Sequence, residues 1–170
     1  MNGNGVPPID FYLFPGHIYL SHEPALVSTV VGSCVAVSLW DSKKGYGGGM
    51  AHYLYPFTGD RYRATAQYGN VAIKYLVTMF LDLGVSEKNL RAQIFGGALM
   101  APADCMRIAK ENVQMARKIL RSHRISIVSE DTGGNMGRKI VYHTQRNEAV
   151  VYKVNTLRQG DWYPYIHEGR

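Results

Sequence analysis

Residues 32–52 read GSCVAVSLWDSKKGYGGGMAH, and the fold turns on how this stretch pairs with itself. From Cys34 to Trp40 small and large apolar side chains alternate, as they do along a strand with two unlike faces. Asp41-Ser42-Lys43-Lys44-Gly45 is turn chemistry, and residues 47–54 resume as a second strand. The stretch therefore reads as a β-hairpin. Cys34 opens one arm and His52 lies towards the end of the other, and antiparallel pairing brings such positions close together.

Outward from the hairpin, residues 17–21 alternate after a Pro15-Gly16 turn and read as an edge strand. Residues 25–31 form a buried-looking run interrupted by the hydroxyls of Ser28 and Thr29. A helix follows in which Val71, Ala72, Tyr75, Leu76, Met79, Phe80 and Leu83 fall on one face, with Gly84 placed for a left-handed cap. Residues 90–95 read as a strand ending in Gly96-Gly97. A second amphipathic helix spans about 106–122, with Ala109, Val113, Ala116, Ile119 and Leu120 inward. Then come a strand at 125–130, a glycine-rich loop at 131–137 and a closing hairpin of 138–143 with 149–154. Two long helices, each between strands, predict an α/β (α+β) layered sandwich with a mixed β-sheet. The expected organisation is one domain over 1–170, with its core at about 17–154 and a C-terminal tail at 155–170.

The composition is globular: 46% hydrophobic and 19% charged residues over 170 positions. No basic segment precedes an apolar run at the N-terminus, and no window has the length of apolar sequence a bilayer span requires, so the expectation is a soluble, cytoplasmic chain with no membrane insertion. Only Cys34 and Cys105 are present, and free thiols are expected. The net charge of +6 favours encounter with acidic partners. Basic residues are spread along the chain without a run interleaved with aromatics, which argues against a nucleic-acid site. The remaining histidines show no ligand spacing, so no metal site is expected.

The chemistry concentrates at Cys34 and His52. A cysteine attacks as thiolate, and a positioned histidine that takes its proton is expected to lower the thiol pKa from ~8.5 into the range of about 3.5–7.5. Gly32 permits a sharp turn before Cys34, leaving the amide N–H groups around Ser33 and Cys34 to face a developing oxyanion. A histidine base also needs a group to fix its tautomer, and Ser28 and Thr29 are the candidates. Neighbouring strand residues face opposite ways, so only one of them reaches His52. From spacing alone the reading stops at a thiol hydrolase candidate. Gly96-Gly97 and Asp131-Thr132-Gly133-Gly134 each follow a strand, but the Walker pattern fails because a strand, not a helix, comes next. Gly96, Gly97, Thr132 and Gly133 are expected at the rim of the site, with Thr132 as a substrate contact. Cys105, near the start of the second helix, reads as a packing residue.

The separated motifs VVGSCVAVSLWD (30–41), GGMAHYLYP (48–56), YGNVAIKYLVTMF (68–80), IFGGALM (94–100) and EDTGGNMGRKI (130–140) run in one order over most of the chain. In this the sequence resembles CheD, the chemoreceptor glutamine deamidase family of bacterial and archaeal chemotaxis. The resemblance implies a catalytic Cys34 and His52 and a threonine in the third role, whose matching position here is Ser28, with Thr29 beside it as the alternative. It implies a layered sandwich akin to the catalytic domain of cytotoxic necrotizing factor toxins, and no cofactor. Methyl-accepting chemotaxis receptors are the implied protein substrate and a CheC-type phosphatase the implied partner, with receptor methylesterase activity as a secondary function. A non-catalytic adaptor binding both is the alternative. At 107–112 the chain reads RIAKEN, where the family tends towards Ile-Gly-x-Arg-Asn; only Ile108 and Asn112 match.

Overall fold

The structure, a computed structural model, describes residues 6–43 and 45–157. Most of the tail expected at 155–170 lies outside the described residues. The strands are β1 (Ile9–Tyr12), β2 (His17–Leu20), β3 (Ala25–Val31), β4 (Val35–Asp41), β5 (Gly48–Tyr53), β6 (Leu90–Gly96), β7 (Ser126–Thr132), β8 (Gly137–His143) and β9 (Glu148–Val154). The helices are α1 (Gly69–Asp82) and α2 (Ala103–Ser122). The fold is a layered α+β sandwich, as expected, but its strands form two mixed sheets rather than one. One sheet is ordered β2-β5-β4-β6-β7, the other β1-β3-β8-β9.

The hairpin forms the middle of the five-stranded sheet. Ala36 pairs with His52 and Val35 with Tyr53, while β6 runs antiparallel along the other side of β4. β4 is buried along nearly its whole length because both of its faces are covered. Its larger residues Val35, Val37 and Leu39 enter a core shared with Leu76, Phe80 and Leu120 of the helices. Its smaller face, carrying Ala36, joins Met50, Phe95, Val27, Val31 and Tyr142 in a second core between the sheets. The alternation of small and large residues thus allots the wide face to the helices and the narrow one to the other sheet. Each fully buried Leu or Phe contributes about 1.5–3 kcal/mol relative to exposure, so these two cores hold the three layers together.

β3 belongs to the other sheet. It pairs in parallel with β1, which the sequence reading did not anticipate, and antiparallel with β8. α1 is turned by about one residue from the expected face: Ile73 and Val77 are buried, whereas Tyr75 is 59% and Leu83 41% exposed. Gly84 takes φ +78° as its capping position requires, and Ala109, Val113, Ala116, Ile119 and Leu120 of α2 all point inward. Among the described residues no helix is long and apolar enough to cross a membrane.

Candidate active site

The site lies where the hairpin's open end meets the other two layers. Cys34 is the residue before β4, and His52 stands opposite Ala36 on β5. The period of two places Cys34 and Ala36 on one face, so the thiol is diagonal to the imidazole on the side facing the second sheet. His52 is fully buried; Cys34 is partly exposed and packs against the inter-sheet core.

A hydroxyl reaches across from the second sheet to hold His52. The pleat of β3 turns Thr29 inward, and its Oγ1 lies 2.8 Å from His52 Nδ1 and donates to the Leu13 carbonyl at 2.8 Å. Because the single hydroxyl proton goes to Leu13, Oγ1 accepts from Nδ1–H. Nε2 is then the unprotonated nitrogen of the neutral ring. Among the described residues Nε2 has no hydrogen-bond partner, the Cys34 thiol included, so its lone pair stands free on the thiol's face. Ser28, the first choice for the orienting residue, does not meet His52. It points to the opposite face of β3, and its carbonyl receives the Leu13 N–H at 2.8 Å.

Burial sets the protonation states. It pushes the Cys34 thiol up to about 11, with its own amide N–H pulling the other way and Cys105 adding a smaller rise. Burial likewise lowers His52 to about 3, against the opposing pull of the Leu13 backbone and with a further drop from His17. The shift of the thiol thus runs opposite to the expected lowering: desolvation is its largest cause and His52 is not among the groups that act on it, so burial favours a neutral thiol and a neutral imidazole.

The carbonyls of the turn before β4 are all engaged. Gly32 O accepts from Ala98 N–H at 2.8 Å, Cys34 O from Gly97 N–H at 2.9 Å, and Ser33 O from the Asn112 side-chain amide at 3.0 Å. The two glycine-rich motifs meet each other beside this turn, Gly133 N–H donating to Gly96 O at 3.0 Å. Buried Arg138 fixes the second motif through Asp131 and the carbonyls of Gly133 and Met136. Gly97, Thr132 and Gly133 line an open cavity of about 280 Å³ with Lys110, Gln114 and Arg117, and neither Cys34 nor His52 is in its wall. Gly96 has no room for a side chain, since a Cβ there would run into the Cys34 carbonyl. Two groups of this site had no role assigned from the sequence: the Leu13 carbonyl and Asn112. Asn112 had two signals, a polar residue at an inward position of α2 between Ala109 and Val113 and a match to the family pattern at 107–112.

Known proteins resemble this chain over most of its length. The profile of the family described as CheD chemotactic sensory transduction matches residues 56–153, downstream of Cys34 and His52. A protein of Trichlorobacter lovleyi named as a probable chemoreceptor glutamine deamidase CheD is 38% identical over 143 residues, covering 83% of this chain and 88% of its own. A Sulfurimonas denitrificans protein of the same name is 38% identical, covering 76% of this chain and 84% of its own. One from Anaeromyxobacter dehalogenans, named CheD 1, is 38% identical with 82% of each chain covered. With the profile match spanning more than half of its length and relatives this similar over most of it, the chain belongs to the CheD family.

Proposed function

We propose that the protein is a protein-glutamine deamidase that converts glutamine side chains of chemoreceptors to glutamate, with Cys34 as nucleophile, His52 as base and Thr29 as the residue that orients it. One observation carries the assignment of roles. Thr29 fixes the tautomer of a fully buried histidine and leaves its basic nitrogen unpartnered on the face that bears Cys34. The relatives' names supply the reaction and the substrate class.

The reaction begins from the neutral pair. A turn of the Cys34 side chain brings the thiol to Nε2, which takes its proton as sulfur attacks the carboxamide carbon of the substrate glutamine. The carbonyl oxygen gains the electron pair and is stabilised by the N–H groups of Ser33 and Cys34. The imidazolium then protonates the leaving nitrogen, the C–N bond breaks and ammonia departs, leaving a thioester. Water, deprotonated by Nε2, adds to the thioester; the C–S bond breaks, glutamate is released and Cys34 regains its proton. The same steps on a glutamyl methyl ester release methanol, which is the secondary methylesterase activity. Gly96, Gly97, Thr132 and Gly133 border the approach of the substrate. The net charge of +6 favours an acidic receptor surface, and a CheC-type phosphatase is the proposed partner.

The test is incubation of the full chain with a receptor signalling fragment, followed by mass spectrometry. Wild type is expected to produce the mass gain of amide to acid together with free ammonia, and Cys34→Ala neither. Undiminished conversion by Cys34→Ala removes Cys34 from the reaction.

A further inference from the structure

Asn112 is a buried polar residue in the apolar face of α2, fully withdrawn from solvent. Its side-chain N–H groups donate to Ser33 O at 3.0 Å and to Leu54 O at 2.9 Å, and its own backbone carbonyl receives the Tyr53 hydroxyl at 2.6 Å. Both side-chain partners are carbonyls, so the orientation of the amide is fixed with the nitrogen towards them. Its Oδ1 has no partner among the described residues. A buried acceptor left unpaired counts against stability, and the two donated bonds offset that cost.

The carbonyls it holds belong to the two arms of the hairpin. Regular β4–β5 pairing ends at Val35 and Tyr53, and Asn112 joins the residue after Tyr53 to the residue before Cys34, tying the arms together where the ladder stops. The peptide plane then carries the effect further. In a trans peptide the C=O of one residue and the N–H of the next point in opposite directions. Anchoring Ser33 O to α2 therefore turns the Cys34 N–H away from the helix.

We infer that Asn112 is a positioning residue for the deamidation: its side-chain amide, by holding the Ser33 carbonyl, aims the Cys34 N–H at the oxyanion of the tetrahedral intermediate. The inference rests on the proposed Cys34 mechanism and adds to it the device that sets the donor. Ala98 does the same for the Ser33 N–H through the Gly32 carbonyl, but with a backbone group that only a proline would remove.

Two reactions of Cys34 separate this role from a general structural one. Deamidation passes through an oxyanion; alkylation by iodoacetamide, a displacement at carbon, does not. Asn112→Ala and Asn112→Asp are measured for kcat and KM on the receptor fragment and for the rate of Cys34 alkylation, beside wild type and Cys34→Ala. The expected result is a fall in kcat of about 10²-fold, with KM and the alkylation rate each within about threefold of wild type. Tyr53→Phe keeps the ring and removes only the hydroxyl that braces Asn112, and carries the test if the Asn112 variants do not fold. Its kcat is expected to fall about fivefold, with alkylation unchanged. An unchanged kcat in a folded variant, or alkylation that falls in step with kcat, overturns the inference. Failure of the underlying mechanism shows separately, as conversion that survives in Cys34→Ala or is missing from wild type.

Discussion

Ser28 and Thr29 both carry a hydroxyl, and the pleat of β3 sends them to opposite faces. Thr29 meets His52 across the gap between the sheets and Ser28 does not, so the two substitutions should separate cleanly. Thr29→Val removes the acceptor of Nδ1–H and is expected to lower kcat by about 10- to 100-fold, the value of one hydrogen bond to a group that becomes charged. Thr29→Ser, which keeps the oxygen, stays within a few-fold, and Ser28→Ala stays within about twofold, as for substitutions away from the site. Steady-state kinetics on a receptor fragment check all three; equal losses in Ser28→Ala and Thr29→Val contradict the arrangement. At this scale the sequence showed that one of two adjacent hydroxyls would be used. Which one depends on the face that β3 turns towards the other sheet, and that face is set by pairing with β8, more than 100 positions away along the chain.

At the scale of elements, β6 delivers a glycine to the Cys34 backbone. Gly96 has φ +112°, a region that L side chains rarely adopt, and a Cβ there meets the Cys34 carbonyl. Gly96→Ala is expected to lower stability by about 2 kcal/mol or more through strain alone, and to cost activity beyond what stability explains, because the displaced group is the peptide after Cys34, the proposed nucleophile. Urea melts and kcat measured well below the unfolding midpoint check this; an Ala variant with wild-type stability and turnover contradicts it. The hairpin of β4 and β5 was legible, because alternation, a polar turn and a resumed strand are local signals. The inward face of α2 was legible for the same reason. The face of α1 was read about one residue out, since Tyr75 and Leu83 are apolar enough to imitate core yet sit on the exposed side. β1 is four residues long with three of them exposed, which leaves almost no periodic signal.

Taken as a whole, the molecule builds its site from all three layers: Thr29 from one sheet, Cys34 and His52 from the other, Asn112 from the helices. Local periodicity carries no record of which distant strands pair, and so the division of the strands into two sheets was not legible in the sequence. Burial of the site also couples it to global stability. The His52 pKa falls from its ordinary 6.5 to about 3 on folding, so between these values the unfolded chain binds a proton that the folded one refuses, and stability drops as pH is lowered through that window. The slope is at most about 1.4 kcal/mol per pH unit from this one group. Cys34 moves from an ordinary 9.0 to about 11, so the unfolded chain loses a proton that the folded one keeps, and stability drops again as pH rises above 9. Urea midpoints should therefore plateau between pH 6.5 and 9, with the acid limb flattened in His52→Gln; an acid limb of unchanged slope in that variant contradicts the assignment. The central claim, that one sulfur and one imidazole act together on a glutamine carboxamide, is tested most directly by acid-quenching the enzyme during turnover and mapping the covalent adduct by mass spectrometry. The account predicts a receptor-derived acyl group on the Cys34 peptide, formed with loss of ammonia. An acyl group on Cys105 instead, or glutamate produced at the wild-type rate by Cys34→Ala, would contradict it.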